Sequence, residues 1–100
     1  MAGRRALSPT EVVTRLAQLP GWQLAGSGAE VAIEKAFKFA NYYETMAFVN
    51  AVAFIAHSKD HHPDLSVHCN RCVVRYTTHD VQGLTDNDFE CASLVDALVA

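Results

Sequence analysis

Residues 61–80 read His-His-Pro-Asp-Leu-Ser-Val-His-Cys-Asn-Arg-Cys-Val-Val-Arg-Tyr-Thr-Thr-His-Asp, and this stretch decides the fold. Apolar and polar residues alternate on both sides of Asn70-Arg71. The spacing predicts a strand at about residues 66–69 and another at about 72–78, joined by a two-residue turn in which Asn tolerates positive φ. In that register Cys69 faces Cys72, and continuing the ladder sets position 62 opposite 79 and position 61 opposite 80. Parity places Leu65, Val67, Cys69, Cys72, Val74 and Tyr76 on one face, so the two cysteines read as core thiols.

Working outward, three segments open with a capping side chain and an acid three residues later. Ser8-Pro9-Thr10-Glu11 starts a helix running to about Gln18, with Val12, Leu16 and Leu19 inward and Pro9 harmless at the first helical position. Asn41-Tyr42-Tyr43-Glu44 starts a second, in which Tyr42, Met46, Val49, Ala53 and Ala56 recur at helical spacing. Phe48, Val52 and Ile55 widen that stripe, so the helix is expected to be covered on more than one side. Thr85-Asp86-Asn87-Asp88 starts a third, carrying Phe89, Ala92, Leu94, Val95 and Leu98. Before the second helix, Trp22 and Leu24 mark a short strand, Gly26-Ser27-Gly28 turns the chain, and Val31, Ile33, Phe37 and Phe39 mark one face of a longer strand that Lys35 interrupts. The order is helix, strand, strand, helix, strand, strand, helix. Strands joined by hairpins imply an α+β domain: a four-stranded antiparallel sheet with three helices packed on one face.

One hundred residues at 10.9 kDa suit a single domain over residues 1–100. Half of them are apolar and 19% are charged, an ordinary globular composition. A net charge of -3, with basic clustering only at Arg4 and Arg5, gives no general attraction to phosphate backbones, so nucleic acid is not an expected partner. The amino end lacks an apolar signal core, and the longest apolar stretch, 46–56, is broken by Asn50 and too short to span a bilayer. A cytoplasmic protein with no membrane partner is expected, its three cysteines kept as thiols.

All five histidines, at 57, 61, 62, 68 and 79, fall between positions 57 and 79. The hairpin register makes His62 and His79 near neighbours, since opposed Cβ atoms sit roughly 4.5 to 5.5 Å apart, with His61 facing Asp80. The plainest account is of polar residues at a helix end and on a solvated loop, where His57 favours the helix dipole. A chemical account is general acid–base work, for which an imidazole titrating near ~6.5 is suited. A zinc site drawing on Cys69-x-x-Cys72 lacks a second ligand pair and lies at the wrong end of the ladder. Asp88 reads as a helix-start acid, and also as a carboxylate able to orient an imidazole at the end of the preceding strand. Trp22, Tyr42 and Tyr43 read as core or interface aromatics.

The run His57-x-x-x-His61-His62-Pro63, then Thr77-Thr78-His79-Asp80, then Gly83-Leu84-Thr85 and Asp88, resembles the signature of the pterin-4a-carbinolamine dehydratases. Gly21-Trp22, Phe37-Lys38-Phe39 and Ala47-Phe48-Val49 agree, so the likeness covers nearly the whole chain. Cys69 departs from it, standing where the family usually has an aromatic residue. The resemblance implies dehydration of 4a-hydroxytetrahydropterin to quinonoid dihydropterin and water, with no metal and no other cofactor. It implies His61 and His79 as acid and base and His62 as the residue orienting the pterin ring. Asp60, Thr77, Thr78 and Asp80 would be further substrate contacts, and Asp88 a supporting acid. It also implies homodimers or homotetramers, a functional link to an aromatic amino acid hydroxylase, and, as an alternative, a non-catalytic protein-binding role.

Overall fold

The alternation around Asn70 does fold as a hairpin, and the sheet is built around it. The computed structural model describes residues 5–100, so the readings that fall on residues 1–4, Arg4 among them, lie outside the described residues. In chain order the elements are α1 (Pro9–Leu16), β1 (Gln23–Ala25), β2 (Ala32–Lys38), α2 (Tyr42–Lys59), β3 (Asp64–His68), β4 (Arg71–Tyr76) and α3 (Asp86–Ala97). Short 3₁₀ turns lie at Gly28–Glu30 and His79–Val81. The strands pair antiparallel throughout in the order β1-β2-β4-β3.

The helix starts follow from the side chains that begin them. The Ser8 hydroxyl accepts the Glu11 N–H while the Glu11 carboxylate accepts the Ser8 N–H at 2.9 Å, satisfying two orphan amides reciprocally. Arg5 grips the same carboxylate with two nitrogens at 2.9 and 3.0 Å, and its guanidinium holds the Glu11 carboxyl down at about 2. The Asn41 side chain accepts the Glu44 N–H at 2.8 Å, but Glu44 reaches back to the Ala40 N–H, one residue beyond the usual reciprocal partner. Helix α1 stops at Leu16 rather than Gln18.

The core lies between the helices and one face of the sheet. Ile33 and Phe37 of β2 and Cys72, Val74 and Tyr76 of β4 project to that face and meet Val12, Phe48, Val52, Phe89, Ala92 and Val95 from the helices. Each fully buried aliphatic side chain contributes roughly 1.5 to 3 kcal/mol of transfer free energy. Lys35 interrupts the apolar face of β2 because it closes the edge of this core. Its ammonium donates to Asp96 at 2.9 Å and to the Pro20 carbonyl at 3.2 Å, and the Trp22 indole N–H shares the same carboxylate.

The hairpin register differs from the expected one by two residues. His68 pairs with Arg71, and Cys72 faces Val67 rather than Cys69, so the turn residues are Cys69 and Asn70. The cause is tertiary. Thr45 on α2 sets its hydroxyl between the Cys69 carbonyl at 3.2 Å and the Asn41 carbonyl at 3.0 Å, sharing one hydrogen between them, and the Phe39 N–H donates to the Asn70 carbonyl at 2.9 Å. Those donors hold both carbonyls in the turn, and Asn70 does so without adopting positive φ. A two-residue slip preserves parity. Leu65 and Val67 therefore keep their face, but Cys69 leaves the ladder and is exposed instead of being a core thiol.

Candidate active site

Two short connections bring the histidine-rich ends of the hairpin together. At the first, α2 ends on Asp60 in the left-handed conformation (φ 50), with the Asp60 N–H bonded to the His57 carbonyl at 3.3 Å and the His61 N–H to the Ala56 carbonyl at 3.1 Å. This is the Schellman closure of a helix, and it turns His61 back under the end of the sheet. At the second, Thr78 and Gly83 exchange backbone bonds at 3.0 and 3.4 Å around the His79–Val81 turn, which itself ends on a left-handed residue, Gln82 (φ 51).

Between these connections is a cleft of about 310 Å³ lined by Asp60, His61, His62, Thr77, His79 and Asp80. Thus His61, His62 and His79 share one cavity, whereas His57 sits on the last turn of α2 and His68 lies at the far end of the hairpin beside Lys38 and Arg71. The cleft is not formed by direct cross-strand pairing. With the observed register the last paired residue of β3 is Asp64, and extending the ladder would set 62 opposite 77 and 61 opposite 78.

His61 is the buried member of the group, at 6% exposure, while His62, His79, Asp60 and Asp80 are exposed. Its Nε2 lies 2.6 Å from Asp88 Oδ1, and its ring stacks on Tyr76 with centroids 5.6 Å apart and planes 8° from parallel. The other oxygen of Asp88 accepts the Thr78 hydroxyl at 2.8 Å and the Thr85 N–H at 2.9 Å. Asp88 is fully buried at the start of α3. The imidazole it holds is His61, from the end of α2, and not the strand-end His79. Thr77 lines the cleft and spends its hydroxyl hydrogen on the Val31 carbonyl at 2.7 Å. Thr78 is 1% exposed and lies behind the cleft, turned toward Asp88.

Two neighbours of the cleft escaped the sequence reading. Tyr76 carries the only signal of a core residue, its place in the alternation, yet it is the platform beneath His61. Its phenol is buried with no hydrogen-bond partner among the described residues, and burial pushes its pKa upward. Thr85 announced itself as a helix cap but also meets the Thr78 hydroxyl at 2.8 Å. Among the described residues no group of three or more His, Cys, Asp or Glu side chains is arranged to hold a metal ion.

Fold and cleft together define a small protein in which three helices cover one face of an antiparallel sheet and a histidine-lined cavity opens at the sheet's end. Residues 5–98 match the family described as pterin 4 alpha carbinolamine dehydratase, and the chain belongs to that family. It is 70% identical over 97 residues to a protein of Paracidovorax citrulli named "Putative pterin-4-alpha-carbinolamine dehydratase", a match covering 97% of this chain and 84% of the other. A Xanthomonas campestris pv. campestris protein of the same name is 59% identical over 87 residues, covering 87% and 72%. Among solved structures, a transcriptional coactivator/pterin dehydratase from Brucella melitensis superposes with a TM-score of 0.89 at 30% identity, covering 96% of this chain and all of that one. A pterin dehydratase-like protein described as a RuBisCO assembly factor in the alpha-carboxysome shares the fold, with a TM-score of 0.66 at 23% identity over 78% of this chain and 88% of its own.

Proposed function

We propose that this chain dehydrates a 4a-hydroxytetrahydropterin to the quinonoid dihydropterin and water, using its histidines as acid and base. The observation that carries this reading is the cleft shared by His61, His62 and His79, with one of the three imidazoles backed by a buried carboxylate. In the elimination the C4a–O bond breaks and the hydroxyl leaves as water after taking a proton. The neighbouring ring nitrogen gives its lone pair to a new C=N bond and loses its own proton. No electrons enter or leave the system, so acid and base groups suffice.

Asp88 Oδ2 accepts two hydrogen bonds, and a carboxylate oxygen without a proton can only accept, so the 2.6 Å contact at Oδ1 calls for a donor on His61. His61 therefore carries its ring proton on Nε2, leaving Nδ1 with a lone pair that can take the proton from the pterin nitrogen. His79, exposed on the opposite wall, is the acid that protonates the departing hydroxyl. His62 orients the ring, with Asp60, Thr77 and Asp80 as further contacts; Thr78 serves from behind. The reaction regenerates the precursor of a reduced pterin, which fits a cytoplasmic enzyme linked to an aromatic amino acid hydroxylase.

The purified protein is expected to accelerate loss of the carbinolamine absorbance, and His61→Ala or His79→Ala to slow that reaction by about a hundredfold. Unchanged rates in both variants, with the fold intact by circular dichroism, would overturn the assignment. A protein-binding role is a second reading. It draws on the exposed aromatic residues of α2, Tyr43 and Phe54, and on the coactivator description of the Brucella melitensis relative. Absence of catalysis together with capture of a defined protein partner would move the assignment to it.

A further inference from the structure

Behind the cleft is a line of buried polar side chains that a proton-transfer reading of His61 leaves unused. Thr85 and Thr78 are 2% and 1% exposed, on opposite sides of the 79–84 connection, and their hydroxyl oxygens are 2.8 Å apart. A hydroxyl has one hydrogen to give. Thr78 gives its hydrogen to Asp88 Oδ2 at 2.8 Å, so the hydrogen between the two threonines comes from Thr85. The assigned donors in the line then point toward one carboxylate, Thr85 to Thr78, Thr78 to Oδ2 and the Thr85 N–H to Oδ2, while His61 Nε2 lies 2.6 Å from Oδ1. Aligned hydrogen bonds polarise one another in a poorly solvated interior, and leaving one of these groups without a partner there is costly.

We infer that Thr78 and Thr85 are positioning residues that fix the tautomer of His61: by saturating Asp88 Oδ2 from behind, they commit Oδ1 to His61 Nε2–H and leave Nδ1 as the free lone pair. The inference rests on the proposed acid–base role of His61 for its functional meaning, but its physical content concerns the ring alone. Thr78 has a second tie, because its backbone closes the turn that carries His79 through paired bonds to Gly83. One residue thus positions histidines on both walls, through its side chain for His61 and through its main chain for His79. Tyr76 completes the arrangement by holding the His61 ring flat while the carboxylate sets its direction.

The two ring nitrogens of a neutral histidine differ widely in ¹⁵N chemical shift when one tautomer dominates and converge when two exchange. The test is therefore the ¹⁵N signature of His61 in the wild type, Thr78→Val and Thr78→Ser, each checked for folding by amide spectra. The wild type is expected to show a protonated Nε2 and a bare Nδ1, Thr78→Val to bring the two shifts together, and Thr78→Ser to restore the separation. In the dehydration assay Thr78→Val should lower kcat about tenfold with KM within about twofold of wild type, and Thr78→Ser should recover most of the loss. If Thr78→Val does not fold, Thr85→Val removes the outer hydroxyl while keeping the Thr85 N–H bond to Asp88, and should shift the His61 signature in the same direction. An unchanged wild-type ¹⁵N pattern in the folded valine variant would overturn the inference. Because that reading needs no substrate, it separates failure of the positioning idea from failure of the dehydratase assignment.

Discussion

Tyr76 shows how one side chain can serve packing and site geometry at different atoms. Its ring is the flat support of His61, while its hydroxyl is buried without a hydrogen-bond partner among the described residues. A buried, unsatisfied hydroxyl costs roughly 1 to 3 kcal/mol. Tyr76→Phe keeps the ring and removes the oxygen, so it is expected to raise unfolding stability by about 1 kcal/mol in urea melts and to leave the dehydration rate within about twofold; a loss of stability would mean that the oxygen has a partner after all. Wild-type Tyr76 also sets a pH limit. Burial raises its pKa in the folded state, so the fold is unaffected by this group below the ordinary phenol value of ~10 and loses stability as pH climbs above it, where the unfolded chain ionises and the buried phenol does not. Phenolate absorbance from this residue should appear only as the protein unfolds in alkali. The His61–Asp88 pair marks the limit of sequence reading at this scale. The caps at Ser8 and Asn41 and the Thr85–Asp88 helix start were legible, since each depends on residues three apart. His61 and Asp88 are separated by 27 positions. Their meeting depends on how α2 and α3 pack, which no local pattern encodes.

At the scale of elements, strand parity was legible and the turn was not. Alternation identifies which residues of β3 and β4 face the helices, because side chains in a strand alternate strictly. The exact turn was decided by Thr45 and Phe39, which lie outside the hairpin and claim the carbonyls of Cys69 and Asn70. The two-residue difference has a chemical consequence for the cysteines. Cys69 is exposed, whereas Cys72 and Cys91 are buried, and burial pushes the Cys72 thiol up. Thiolate is the reactive form, so a disulfide reagent added to the native protein should modify one thiol quickly and the other two only on denaturation. Cys69→Ser should abolish the fast phase, and persistence of that phase would show that Cys69 is shielded. The connection after β4 offers a second test. Gln82 adopts a left-handed conformation that a side chain disfavours by roughly 1 to 2 kcal/mol. Gln82→Gly relieves that cost but adds unfolded-state entropy; a net gain of about 0.5 to 1 kcal/mol is expected in the same melts, and a loss would mean that the Gln82 side chain contributes to holding the turn.

For the whole molecule, the surface left uncovered is the outer side of α2. Sequence periodicity gave this helix an apolar stripe too wide for one interface, and the single chain covers only one side of it. Phe48, Val52 and Ala56 are buried against the sheet, while Tyr43 is 83% and Phe54 71% exposed. Tyr43, Ala47, Asn50 and Phe54 recur at intervals of three and four residues and are all exposed, so they form one outward stripe. An exposed apolar stripe on a helix already packed on its other side marks a surface for another chain to cover. β3 is moreover an edge strand, and its Val67 is 40% exposed, which offers a second place for chains to meet. Burial of these surfaces between copies of the chain predicts an oligomer at micromolar concentration, with a melting temperature that rises with protein concentration. Phe54→Asp would place a charge on the helical stripe without touching the core or the cleft. It is expected to shift the sedimentation coefficient to that of a smaller species and to flatten the concentration dependence of melting. A wild type that already sediments as a monomer at tens of micromolar would leave the exposed aromatic side of α2 to a different protein, and the binding role would then gain at the expense of self-association.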